Sequence, residues 1–262
     1  MTNSATLHSI HISIVMPALN EQNNIVEAVI NVQKSLDKAQ LQGQLILVND
    51  GSHDSTGQLM LDLQAKYLDL KIQIITHPTA CGIGASFRDG LKIATGESIV
   101  MLPGDGENDG YEIFKYFSLL EHVDLIIPYV ANGAKRSTFR RTLSKTYITL
   151  INIFFGTSFR YTNGTVLYRK SILDDLNLFS NGFFYQTELI LKCAARDYFY
   201  AEVPYLLRSR EKGRSTAVSV KNLINIIKSL FHTWVMIRFF DNNTQLDEGS
   251  VTQRVLSSAN NN

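Results

Sequence analysis

The sequence predicts an α/β protein built on a doubly wound, mostly parallel sheet. Over the first 130 residues, short β-prone apolar runs alternate with stretches whose apolar residues recur at helical spacing. That alternation is the mark of βαβ units. The apolar runs also end in loops of Gly, Pro, Asn and Asp. The sharpest is Ser98-Ile-Val-Met-Leu102, which stops at Pro103-Gly104-Asp105-Gly106-Glu107-Asn108-Asp109. Ligands bind at the carboxyl ends of strands in such sheets. Carboxylates and glycines placed there suggest a hard cation and the phosphates it neutralises.

Taken in order, residues 10–16 read as the first strand, ended by Pro17. A helix over 24–40 follows, with Ile25, Ala28, Val29, Val32, Leu36 and Ala39 on one face. Residues 45–48 form a short buried strand. Ser55-Thr-Gly-Gln58 then reads as a capping box opening a helix with Leu59, Leu63 and Tyr67 inward. Strands over 71–76, 98–102 and 123–129 are separated by helices over 84–94 and 111–120. After Val130 the rhythm changes: a polar segment over 131–137, a helix over 143–155, a strand over 166–168, a helix over 187–196 and a strand over 199–205. An amphipathic helix spans 217–240, and the polar stretch 241–262 is expected to be disordered.

A chain of 262 residues with 45% hydrophobic and 19% charged residues is an ordinary globular protein, large enough for one α/β domain with an appendage. Its net charge of +1 gives no support to a nucleic-acid partner. The average conceals a split. Residues 1–124 carry 15 acidic and 7 basic side chains, and the remainder carries 9 acidic and 18 basic. No acidic residue lies between Asp124 and Asp174. The split points either to an anionic ligand handled by the second half or to a solvated basic face. Cys81 and Cys193 are isolated, with neither metal spacing nor a disulfide framework, so reduced thiols are expected. The polar N-terminus has no signal-peptide pattern, and no stretch approaches the ~20 apolar residues of a membrane span. The expected location is cytoplasmic, at most peripheral on the inner face of the cell membrane.

Four loops should meet at one sheet edge: VMPALNE (15–21), VNDGSHDST (48–56), Gly82-Ile-Gly84 with Arg88 behind it, and the Asp105 turn. Asn20 could simply cap the next helix. The second loop holds more polar chemistry than a turn requires. Gly82-Ile-Gly84 does not complete a dinucleotide fingerprint, which disfavours a nicotinamide-dependent enzyme.

The strings VMPALNEQNNI, VNDGSHDST, GIGASFRDGLKIATGESIV and PGDGEND resemble, in order and spacing, the family-2 glycosyltransferases. The likeness is to the branch of dolichyl-phosphate mannosyltransferases and bacterial polyprenyl-phosphate glycosyltransferases. It continues through RYTNGTVLYRKSIL and FYQTELILKCAARDYFYAEVPYLLRSREKGRST, covering about residues 10–216. The resemblance implies a GT-A fold with a Rossmann-like nucleotide-binding half and an acceptor-binding half. It also implies an inverting transfer from a nucleotide diphospho-sugar with Mg²⁺ or Mn²⁺. Pro17, Asn20, Glu21, Asn49, Asp50, Gly82 and Arg88 match the donor-binding loops, Asn49 standing where the family often has Asp. Asp105 matches the second carboxylate of the family's Asp-x-Asp motif, and Glu107 a position that can also reach the metal. Pro103 replaces the first Asp, so the cation is expected on Asp105 and Glu107 alone. Glu188 matches the acceptor-side carboxylate and, with Asp105, is the expected catalytic pair. Arg136, Arg140, Arg210, Arg214 and Ser215 are expected near the acceptor or the phosphates, since arginine suits bidentate phosphate recognition.

A polyprenyl-phosphate or lipid-linked acceptor is the leading expectation. A saccharide hydroxyl, as in surface polysaccharide assembly, is the alternative, and Pro103 prompts a third: a non-catalytic nucleotide-sugar-binding relative. The apolar stripe of Leu223, Ile226, Ile227, Leu230, Phe231, Trp234 and Ile237 could lie in a membrane interface. It could equally pack on the core, in a homodimer or against a membrane partner.

Overall fold

The computed structural model describes residues 10–132, 138–206, 220–240 and 245–260. Seven strands form one sheet: β1 (Ile12–Ala18), β2 (Gly43–Asn49), β3 (Gln73–Thr76), β4 (Ser98–Met101), β5 (Leu125–Val130), β6 (Leu167–Arg169) and β7 (Tyr200–Tyr205). The spatial order is β3-β2-β1-β4-β6-β5-β7. β6 runs antiparallel to both neighbours, and every other pairing is parallel.

The helices are α1 (Ile25–Ala39), α2 (Thr56–Lys66), α3 (Ile83–Ile93), α4 (Tyr111–Phe114), α5 (Thr138–Phe155), α6 (Ser171–Asp174), α7 (Tyr185–Ala195), α8 (Val220–Val235) and α9 (Val251–Asn260). Alternate residues of the strands point to opposite faces of the sheet. Ile14, Met16, Leu45 and Leu47 therefore pack under α1, α2 and α4, against Ile25, Val29, Met60 and Phe114. Val15, Ile46, Val48 and Met101 face α3 and α7 through Phe87, Tyr185 and Leu189.

Four sequence expectations change. Pro17 does not end the first strand but continues it. A strand residue's N–H and C=O point the same way, and the Pro17 carbonyl accepts Gly104 N at 3.0 Å, beyond the last β4 pairing. Proline removes one N–H from the ladder, and the regular β1–β4 pairing stops at Val15–Met101 while the strand itself runs on. Ser55 makes no side-chain cap. Asp54 does that work instead, its Oδ1 accepting the Thr56 N–H at 2.9 Å. The helix expected over 111–120 breaks into α4 and a 3₁₀ turn, Phe117–Glu121.

The fourth change is in the C-terminal stretch. Its polar residues contain α9, whose first turn is anchored by the fully buried Asp124. That carboxylate accepts the Val251 N–H at 2.6 Å, the Thr252 N–H at 3.1 Å and the Thr252 hydroxyl. An acidic group at a helix N-terminus satisfies orphan donors and meets the favourable end of the dipole.

Candidate active site

The carboxyl ends of β1, β2 and β4 lie side by side and their loops are knitted together. Asp50 N donates to the Ala18 carbonyl, and Gly104 N to that of Pro17, both at 3.0 Å. Asn20, in the left-handed region at φ 57°, accepts the His53 N–H at 2.9 Å, while its own N–H reaches the Ser52 hydroxyl at 3.0 Å. Glu21 N donates to Thr56 Oγ1 at 2.8 Å. Asn20 is therefore a bridge between two loops rather than a helix cap. Asn49 is buried, and its Oδ1 accepts the Ser52 N–H at 3.0 Å, so it shapes the turn from beneath.

Asp50 is the hub of this edge and is buried. Its Oδ1 lies 2.7 Å from His77 Nδ1 and accepts the Cys81 N–H at 2.8 Å, and its Oδ2 accepts the Gly82 N–H at 2.9 Å. Gly82 has φ 99°, and a Cβ there would stand 2.4 Å from the Asn181 carbonyl oxygen. Only glycine fits. On the far side of His77, Nε2 lies 3.3 Å from Asp89 Oδ2. Partial burial pushes the Asp89 carboxyl upward, but the Lys92 hydrogen bond and the charges of Lys92, Arg88 and His77 outweigh it and hold the group below its ordinary range.

The Asp105 turn leaves β4 one loop away, with Asp105 and Glu107 both half-buried. Asp105 Oδ1 accepts the Glu107 N–H at 3.1 Å, which brings the two side chains onto one tight loop. Negative charge concentrates here. Burial pushes the Tyr205 phenol well up and the Thr165 hydrogen bond offsets part of that. The charges of Asp109, Glu112 and Asp105 then push it further. An all-oxygen donor set in a negative field suits Mg²⁺ or Mn²⁺.

Glu188 departs most from expectation. It is fully buried on α7, neither an exposed helix carboxylate nor one open to a substrate. Its Oε1 accepts Phe179 N at 2.9 Å and Lys192 Nζ at 2.7 Å, and its Oε2 accepts Ser180 N at 2.8 Å. The loop it grips touches the start of α3 directly. Asn181 O accepts Gly84 N at 2.7 Å, and Arg88 Nη1 donates to Leu178 O at 3.2 Å. Arg88 thus ties α3 to this loop.

Of the expected phosphate-binding residues, Arg136, Arg210, Arg214 and Ser215 lie outside the described residues, and Arg140 is described only as part of the α5 backbone. Sequence reasoning passed over His77 and Lys192. Lys192 stands four residues after Glu188, a spacing that itself signals an ion pair. His77 carries no such local sign; only the pairing of β2 with β3 brings it to Asp50.

A Rossmann-like sheet with four loops at its carboxyl edge, the oxygen-rich turn after β4 among them, has the architecture of a glycosyltransferase of the GT-A class. Residues 13–176 match the model of Glycosyl transferase family 2, and the chain belongs to that family. It is 27% identical over 230 residues to the polyprenol monophosphomannose synthase of Mycolicibacterium smegmatis, covering 83% of each chain. It is 28% identical over 206 residues to the undecaprenyl-phosphate 4-deoxy-4-formamido-L-arabinose transferase of Pseudomonas fluorescens, covering 71% of this chain but only 58% of that one. Among solved structures, the glucosyl-3-phosphoglycerate synthase of Mycobacterium tuberculosis in complex with Mg²⁺ and UDP superposes with a TM-score of 0.62. It is 18% identical, and the match covers 87% of this chain and 79% of that one. This structural likeness speaks to the fold.

Proposed function

We propose that the protein is an inverting, metal-dependent transferase that moves a sugar from a nucleotide diphospho-sugar to a polyprenyl phosphate. The burial of Glu188 carries the choice of acceptor. A hydroxyl acceptor needs a general base within hydrogen-bond reach, and this carboxylate already accepts two backbone N–H groups and an ammonium. A phosphate acceptor arrives largely ionised, its second pKa being ~6, and needs cationic anchors more than a base. The acid-free run 125–173 is consistent with that demand.

In this reading the four loops bind the nucleoside diphosphate, and Asp50 keeps the Cys81–Gly82 backbone in place beside it. A divalent cation held by Asp105 and Glu107 supplies Lewis-acid stabilisation of the diphosphate leaving group. Glu188 positions the loop that connects the acceptor half to the start of α3.

The acceptor's lipid tail suggests a peripheral membrane location on the cytoplasmic face. Among the described residues, no helix is long and apolar enough to cross a membrane. α8 and the π-helical turn that continues it, Met236–Phe240, divide their apolar residues between two tasks. Ile226, Leu230 and Ile237 pack on the core, whereas Ile227, Phe231 and Phe239 are exposed. Phe154, Ile153 and Leu150 of α5 are exposed as well, and Phe154 meets Trp234 edge-on at 6.1 Å. Lys145, Lys228 and Arg238 are also exposed, and neither helix carries an acidic residue. Aromatic and basic groups together suit an anionic bilayer surface.

The test is to incubate the protein and Mn²⁺ with undecaprenyl or dolichyl phosphate and a panel of labelled UDP-, GDP- and TDP-sugars. The expected product is a lipid phosphate sugar with the anomeric configuration inverted. Label appearing on a saccharide hydroxyl, with none on the polyprenyl phosphate, would overturn the acceptor assignment.

A further inference from the structure

The two cysteines carry no metal spacing in sequence, yet the fold sets Cys81 against a carboxylate and an imidazole. Asp50, His77 and Cys81 each offer one ligand atom, and these atoms lie within 4.8 Å of one another. They come from three places: just past β2, just past β3, and the loop leading into α3. We propose that these residues form a Zn²⁺ site, separate from the Asp105 turn.

The donor set decides the kind of ion. One carboxylate oxygen, one imidazole nitrogen and one thiolate sulfur make a poor home for Mg²⁺ or Mn²⁺, which prefer oxygen. They suit Zn²⁺, which binds through three protein ligands and keeps a fourth position for water in sites open to solvent. Cys81 is exposed, so an ion has a way in, while His77 and Asp50 are buried and form the floor.

The surroundings of His77 strengthen the assignment. Its Nδ1 faces Asp50, and its Nε2 is buried without a hydrogen-bond partner among the described residues, although Asp89 Oδ2 stands 3.3 Å away. A cation on Nδ1 shifts the ring proton to Nε2, where it faces Asp89. The Cys81 thiol proton leaves to solvent as the sulfur becomes a thiolate ligand. Asp89 is itself held by Lys92 at 2.6 Å. A carboxylate behind a metal-bound histidine fixes its tautomer and raises its basicity. Asp50 has its own orienting partners, the Cys81 and Gly82 N–H groups. The ion thus resolves the one polar atom of this cluster that the fold leaves without a hydrogen bond.

The full-length protein, stripped of metal, should be titrated with Zn²⁺ against a chromophoric chelator and, in parallel, with Co²⁺. The wild-type protein should bind one equivalent of Zn²⁺ and show a thiolate-to-cobalt charge-transfer band. Cys81→Ala should abolish the band and weaken Zn²⁺ by more than ~10-fold, and Asp89→Asn should weaken it by about 10-fold. Asp105→Ala should keep both signals, which separates this site from the cation that serves transfer. Because Cys81 is exposed, its circular dichroism spectrum should stay unchanged on substitution to Ala. Zn²⁺ bound as tightly by Cys81→Ala, or a wild-type cobalt complex without the thiolate band, would overturn the proposal.

Discussion

The donor edge and the α5–α8 face are built on opposite plans. At the edge, polar side chains are spent on backbone groups: Asn20 and Asp50 each fasten a neighbouring loop, and Asn49 fastens its own turn. On the helical face, large apolar side chains stand in solvent with basic residues beside them. The first plan gives a rigid cradle, since groups locked by hydrogen bonds need no reorganisation when charge develops. The second leaves apolar surface exposed, which in the proposed reading a bilayer surface would cover. Glu188 follows the first plan although it lies on α7, away from the strand-end loops: its carboxylate holds the Phe179 and Ser180 backbone.

The largest expected effect tests that placement. Glu188→Gln leaves Lys192 buried without its counter-charge and turns an acceptor into a donor facing backbone N–H groups. It should cost about 3–5 kcal/mol in urea unfolding, and adding Lys192→Met should recover part of the loss. A variant of unchanged stability but no activity would return Glu188 to the role of a base. Asp105→Ala comes next. It should lower kcat about 100-fold and remove the Mn²⁺-dependent part of the thermal shift produced by nucleoside diphosphates. A shift that survives unchanged would sink the metal assignment.

Smaller effects sharpen the other side of the contrast. Replacing Phe231 and Trp234 together by Ser should reduce binding to anionic vesicles about 10-fold, or ~1.4 kcal/mol, with fold and Mn²⁺ response preserved. Equal binding by the variant would show that this face meets another surface. Thr252→Ala removes one of the donors to Asp124 and should cost about 1 kcal/mol, read as faster hydrogen exchange over the first turn of α9. If exchange there does not change, Asp124 is not what holds the helix.

Much of the donor edge was legible in the chain. The apolar runs, the loops that end them and the oxygen-rich turn at Asp105 are local patterns, and strand alternation at short intervals forces those loops to one side. The capping box was legible and wrong, because Asp54, one residue before Ser55, supplies the acceptor for the Thr56 N–H. α8 presented one apolar stripe, and only packing could divide it into a buried half and an exposed half.

By itself the sequence determined the family through the resemblance of its motifs, and the doubly wound sheet and the carboxylates that crowd its edge because periodicity and turn chemistry act over a few residues. Tertiary structure decided what those carboxylates do. Asp50 meets His77 across 27 residues of chain, and Asp124 meets Val251 across 127. Glu188 is enclosed because α7 and the 178–181 loop close over it. Strand order and burial set these encounters, and neither is written in the spacing of neighbouring residues.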